Sequence, residues 1–283
     1  IMRKVLLATT ALVAMSVTAA QADISLSGNY EWEYTQKDTG DEWGDDGHLN
    51  VTATKAADNG MTFTAFTSFE TGSSATTNVE ASYIKAEGDF GTIYLGDIDD
   101  SAVGAMDGAL GQNNDIETQG GLGNADTAIG IDGADIIYMS PKMGGFQIGM
   151  SKDLTDSDTD LDDGKTDVAV TYSMGGASLF YGQADDKTSV GIKGSVAGFT
   201  VAVGNMSESG TKVKANDIAV KYTLGNGITL AALSASGTAS DGTKAKASNI
   251  GASYAIVPGV KLNVESGKLD AANYTWVAVN MSF

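Results

Sequence analysis

Cysteine is missing from this 283-residue chain, proline occurs twice and histidine once. Without a thiol there is no disulfide framework, no cysteine-built zinc site and no cysteine nucleophile, and a Ser-His-Asp arrangement would have to use His48 as its base. Bases are scarce too. Lys and Arg number 17 against 36 Asp and Glu, a formal charge of −19, and a field of that sign repels DNA and RNA. This argues against a nucleic-acid partner. Beyond the N-terminal segment no apolar run reaches the roughly 20 residues that a membrane helix needs. A membrane barrel stays open, because its strands are apolar only at every second position and leave mean hydropathy near zero.

The chain begins with an address. Arg3 and Lys4 precede a largely apolar stretch from Val5 to Val17 and the small-x-small Ala20-Gln21-Ala22, the layout of a secretory signal peptide. Residues 1–22 are therefore expected to be removed on export, leaving 23–283. That portion holds no arginine, and its 15 lysines against 36 acids make a formal charge of −21.

From there alternation with a period of two runs to the last residue. Ile24, Leu26, Tyr30, Trp32 and Tyr34 interleave with Ser25, Ser27, Asn29, Glu31 and Glu33, and Met61, Phe63, Ala65 and Phe69 with Thr62, Thr64, Ser68 and Glu70. Successive side chains of a strand point to opposite faces, so each segment has one apolar and one wet surface. Glycine, at 36 residues, marks the connections. Tight turns are expected at Asp58-Asn59-Gly60, Gly88-Asp89, Met143-Gly144-Gly145, Met174-Gly175-Gly176, Ala197-Gly198, Gly225-Asn226-Gly227 and Pro258-Gly259. Longer polar stretches fall between them at 35–47, 71–78, 97–134, 152–166, 184–187, 206–215, 237–246 and 268–272. Seven turns alternating with eight loops, about one per hairpin end, imply a 16-stranded antiparallel transmembrane β-barrel, all-β, with both chain ends on the short-turn rim. A sandwich shows no such asymmetry between its two ends.

The final strand sets Thr275, Val277, Val279, Met281 and terminal Phe283 on one face, which resembles the insertion signal of outer-membrane barrels. Further likeness lies in the Asp23–Gly28 start, the Asp58–Phe63 hairpin and the Gly88–Asp97 strand. On these segments the chain resembles the alphaproteobacterial, Rhodobacter-type general diffusion porins over essentially all of 23–283. The resemblance implies a homotrimer of water-filled barrels for passive diffusion of small hydrophilic solutes and ions, with the third loop folded inward. It also implies export to the outer membrane of a Gram-negative bacterium, a lipid surround, and assembly by the barrel machinery with Phe283 as signal.

Stretch 97–134 is too long for an idle connection. It carries Asp97, Asp99, Asp100, Asp107, Asp115, Glu117, Asp126 and Asp132, with Asp135 at its edge, and no base occurs from Ala86 to Pro141. We take Asp97, Asp99, Asp100, Asp107, Asp115 and Glu117 as pore-constriction residues. Wall positions with the same parity are Glu31, Glu33, His48, Asn50 and Glu70. The family sets basic wall residues against this loop, whereas here no arginine is available. Lys193, Lys221 and Lys261 have lumen-side parity on later strands, and His48 reads equally as a pore-lining base or a hydrogen-bonded rim residue. A negative lumen follows, and rings of carboxylates concentrate cations.

A second acidic run includes Asp156, Asp158, Asp160 and Asp162. Its Asp-x-Asp spacing suggests weak calcium binding, but glycine falls one position late for an EF-hand and the closing glutamate is absent; otherwise no cofactor is expected. The tyrosines recur near strand ends, where rings favour membrane interfaces or cross-strand packing. Nothing around His48 forms a catalytic arrangement, so the chain is not read as an enzyme. The alternatives are a substrate-specific outer-membrane channel and an acidic secreted β-rich surface protein or adhesin.

Overall fold

The computed structural model describes residues 22–72, 79–113, 125–131, 133–154 and 164–283. The expected signal peptide lies outside the described residues but for Ala22, as do Asp115, Glu117, Asp132, Asp156, Asp158, Asp160 and Asp162. Each alternating segment becomes a strand, and each glycine-bearing turn reverses the chain.

In order the strands are β1 (Asp23–Lys37), β2 (Gly40–Ala56), β3 (Thr62–Gly72), β4 (Ala81–Gly88), β5 (Gly91–Ile98), β6 (Ala134–Met139), β7 (Phe146–Lys152) and β8 (Thr166–Met174). They continue with β9 (Ala177–Ala184), β10 (Lys187–Val196), β11 (Phe199–Glu208), β12 (Lys214–Thr223), β13 (Thr229–Thr238), β14 (Lys244–Val257), β15 (Val260–Leu269) and β16 (Ala272–Ser282). Every strand pairs antiparallel with its sequence neighbours, and β1 pairs with β16 to close the barrel. A 3-10 turn, Gly104–Met106, follows β5.

Outside, the apolar row is exposed: Ile24, Leu26, Ile84, Leu95, Ile192 and Ile250 are each at least half open to the surroundings. Rings flank the short-turn rim. Phe146 stacks on Tyr172 with centroids 4.2 Å apart and Phe199 lies 4.6 Å from Tyr222, while the Tyr138 hydroxyl donates to the Phe90 carbonyl at 2.9 Å. Amphipathic rings at that level fit a bilayer interface. Tyr83, Tyr94 and Tyr274 depart from the expected belt, because the register turns them inward with Phe66, Ile137 and Trp276.

The seven tight turns stand where expected, yet the contrast between the rims is weaker. Thr35–Lys37 and 40–47 are paired strand, leaving Asp38 and Thr39 to turn, and Asp185-Asp186 and Asp270-Ala271 are two-residue turns. Polarity was the wrong guide there: β1 and β2 extend beyond the apolar belt into water, where a strand is polar on both faces. Asp185 and Asp270 take φ of 53° and 54°, a conformation that Asp tolerates in tight hairpins.

Closure of β1 on β16 is completed at the last residue. Gly28 and Phe283 exchange both backbone hydrogen bonds at 3.0 Å. At the other rim Asp38 accepts from the backbone and side-chain nitrogens of Asn273 at 2.9 and 3.0 Å. A Cβ on Gly28 would lie 2.7 Å from the Phe283 ring and 2.6 Å from the His48 carbonyl. Gly28→Val is therefore expected to destabilise the closed barrel by about 1–3 kcal/mol, the usual cost of overpacking. The check is heat-modifiable gel mobility, with the folded band of the variant expected to disappear at a lower temperature than that of the parent.

Candidate functional site: the lumen and its inward loop

After β5 the chain turns into the barrel. Of the connection 99–133, the described parts bury Val103, Met106, Ala109, Leu110 and Ile129 against Ala169, Phe180, Ala184, Met206 and Ala215. These wall residues alternate with exposed Leu179, Tyr181, Val203 and Ile218 and so face the lumen. Since the lumen side of the sheet is wet, burial there is driven by the hydrophobic effect, about 1.5–3 kcal/mol for each large side chain fully removed from water. Close approach needs bare backbone on the wall. A Cβ on Gly149 would lie 2.5 Å from the Met106 sulfur, and one on Gly191 would lie 2.9 Å from the Leu110 side chain.

Two wall carboxylates hold the loop backbone. Asp217 on β12 accepts the Gly111 N–H at 2.8 Å, the Gln112 N–H at 3.3 Å and the Thr127 hydroxyl. Asp167 on β8 accepts the Val103 N–H at 3.4 Å and the Ser151 hydroxyl, whose oxygen accepts the Ala102 N–H at 3.1 Å. Ser189 donates to the Thr127 carbonyl at 2.7 Å, and the Lys193 ammonium donates to the Gly108 carbonyl. Sequence reading missed these anchors. Their signal was a carboxylate alternating with small residues at inward parity, as in Ala215-Asn216-Asp217-Ile218-Ala219.

Asp99 and Asp100 lie at the start of the loop, with Asp107 and Asp126 further along it. Asp97 is a correction. It pairs with Ser82 in the row of Ile84 and Leu95, on the outer face, because only every second residue of β5 points inward and Tyr94, Gly96 and Ile98 hold those places. Loss of water around Asp107, reinforced by Asp100 and Asp126, pushes its carboxyl up to about 7 against the lowering effect of the Asn113 hydrogen bond. Desolvation raises Asp100 and Asp126 as well.

Glu31, Glu33, His48, Asn50 and Glu70 share the lumen side of β1–β3 by register. Glu31 accepts from Asn280, and Glu33 accepts the Trp276 indole N–H at 2.7 Å, so both carboxylates lace β1 to β16. His48 stands 2.9 Å from Glu80 and 3.8 Å from Asp46; it lines the lumen and is hydrogen-bonded at once. Lys193, Lys221 and Lys261 also keep lumen parity.

Asp217→Ala would take the acceptor from two backbone donors, the Gly111 and Gln112 N–H groups, while the Thr127 hydroxyl keeps the Gln112 side-chain oxygen at 2.9 Å; the cost is about 1–3 kcal/mol for each buried group left unpaired. With the loop backbone released, single-channel conductance in a planar bilayer is expected to rise and to become noisier. A conductance equal to that of the parent, from a barrel with normal heat stability, would count against Asp217 as the anchor.

Residues 8–273 match the family profile described as Gram-negative porin. Among solved structures, a mutant of the Rh. blastica porin superposes with a TM-score of 0.76 at 18% identity, over 92% of this chain and all of that one. OmpT of Vibrio cholerae, in its trimer form, does so with 0.75 at 13% identity, over 93% of this chain and all of that one. At such identities the likeness is one of fold. Among curated proteins the sequence finds no match. A profile match spanning nearly the whole length, on a closed 16-stranded barrel with an apolar outer face, leaves one conclusion: the chain belongs to the Gram-negative porin family.

Proposed function

We propose that this porin, a passive diffusion channel of the outer membrane, passes cations in preference to anions and works as a homotrimer. The observation that carries the first part is the sign of the groups along the path. Loop carboxylates Asp99, Asp100, Asp107 and Asp126 stand in a lumen whose wall presents Asp46 on β2, Glu70 on β3 and Glu80 just before β4. Lys85 is paired with Glu87 at 2.8 Å and Lys193 is bound to a loop carbonyl. Arginine is absent from 23–283. Permeating ions that pass within a Debye length of these carboxylates, about 10 Å at 0.1 M salt, feel their summed potential.

The second part rests on the outer face. Asp97, Ser82 and Thr67 form a polar row across β5, β4 and β3, with the two hydroxyls 3.4 Å apart. A carboxyl facing lipid is costly, and the same row covered by a neighbouring protomer escapes that cost. The likeness to the Rhodobacter type in 23–28, 58–63 and 88–97 supports an alphaproteobacterial reading, with residues 1–22 as export signal. A channel needs no catalytic group, and this reading assigns none.

The reversal potential across an about tenfold KCl gradient at low salt is expected to be cation-selective and to shrink as salt rises. Asp99→Asn, Asp100→Asn and Asp107→Asn together should lower it, and Asp97→Asn should not. Asp107 gains its charge as pH rises through about 7, so cation preference should grow over that interval and lose this step in Asp107→Asn. An anion-selective parent would overturn the reading. In mild detergent the mass should be that of three chains, and monomers alone would refute the trimer.

A further inference from the structure

Between the wall of β2–β6 and the start of the inward loop lies a cleft of about 470 Å³. Its floor is aromatic. Phe66 on β3 and Tyr83 on β4 are register partners and stack at 4.9 Å with 24° between their planes, and Tyr94 meets Tyr83 edge-on at 5.4 Å. All three are only partly covered, an unusual use of rings on the wet side of a diffusion pore, where Ser, Thr and Asn occupy most early-strand positions.

The rim is polar and mostly acidic. Asp99 and Asp100 come from the loop, and Glu80 comes from the wall, where it is held by His48 at 2.9 Å and Ser68 at 3.0 Å. The Asn50 amide oxygen is buried beside them, with no hydrogen-bond partner among the described residues. Lys85, the nearby wall cation, is engaged with Glu87 and sits 6.0 Å above the Tyr94 ring. The rings therefore already receive an ammonium group at one end of the strip.

We propose that this cleft is a binding subsite for organic cations that carry an aromatic ring, held by stacking on Phe66 and Tyr83 and by the carboxylates of Asp99, Asp100 and Glu80. Aromatic faces attract cations through the ring quadrupole, and the acidic rim supplies the opposite charge within one side-chain length. The proposal deepens the cation-preference reading and rests on it for the approach of solute, but it adds a residence site where simple diffusion requires none. Such a solute would pause in the pore and interrupt the current of small ions.

The test is single-channel recording of the full porin in KCl with three probes: benzyltrimethylammonium, tetramethylammonium and neutral benzyl alcohol. Benzyltrimethylammonium is expected to interrupt the current at concentrations about two- to tenfold lower than tetramethylammonium, the size of one aromatic ring pair, and benzyl alcohol should not interrupt it. Phe66→Leu with Tyr83→Leu keeps the wall apolar and should bring the two ammonium probes to the same concentration. Phe63→Leu, on the outer face of the same strand, should keep the difference. Asp99→Asn with Asp100→Asn should weaken both probes. Heat-modifiable mobility verifies that each variant is folded.

Equal potency of the two ammonium ions on the parent, or a ring preference that survives in the double Leu variant, would overturn the site. Interruption by maltose as strong as by benzyltrimethylammonium would overturn the cation class in favour of saccharides. The reversal potential without probe is a separate reading. A cation-selective parent with no ring preference refutes the subsite alone, and an anion-selective parent refutes the proposed selectivity alone.

Discussion

A chain that crosses a bilayer as strands has to give every backbone N–H and C=O a partner inside the protein, and a sheet meets that demand only by closing on itself. The bond of β1 to β16 is consequently the contact on which the rest depends. It explains why Gly28 is bare beneath the Phe283 ring, why Glu31 and Glu33 reach across to Asn280 and Trp276, and why Asp38 caps the other rim through Asn273. Side chains that look like pore chemistry in a list of acids are, at this seam, bonds between the first and the last strand.

Closure creates a second problem, since it leaves a wide wet hole. The loop after β5 fills part of it by ordinary soluble-protein physics. Leu110, Val103 and Met106 leave the water of the lumen for the wall, and Asp167 and Asp217 satisfy backbone donors that burial would otherwise orphan. The outer face obeys the opposite rule, with Ile24, Ile84 and Ile250 left open because lipid is their solvent. One sheet therefore carries two hydrophobic surfaces, a continuous outer one and an inner set of patches, the one under Leu110 on β8–β12 and others on β5–β6, β12–β14 and β16.

That division explains what was legible beforehand. Period-two alternation and glycine-marked turns depend on neighbours along the chain, and they yielded the number of strands, the seven tight turns and the side of Glu31, His48 and Glu70. The length of the opposite rim was misjudged because Thr35–Lys37 and 40–47 are polar strand above the belt, and polarity cannot tell strand in water from loop in water. Asp97 was misplaced by treating a run of acids as one surface, when β5 keeps its alternation until Ile98. Phe66 and the loop anchors were invisible for a different reason. Their roles arise from residues such as Tyr83 and Gly111 that only closure of the barrel and inward folding of the loop bring near them.

The excess of acids over bases takes on meaning only once each carboxylate is assigned a neighbour. Glu31 and Glu33 are tied to the seam, Asp167 and Asp217 to the loop backbone, and Glu80 to His48 and Ser68. Asp99, Asp100, Asp107 and Asp126 belong to the inward loop, where Asp107 feels both Asp100 and Asp126, while Lys187 of the wall acts on Asp126 in the opposite sense. Lost hydration and crowding raise Asp107 to about 7, so the charge of the inward loop is more sensitive to pH than the total of −21 suggests. An ion responds to the carboxylates within a Debye length of its path. On the proposed reading, selectivity depends on where the loop is pinned, and the two wall carboxylates that hold its backbone, Asp167 and Asp217, shape the field by placing the loop carboxylates.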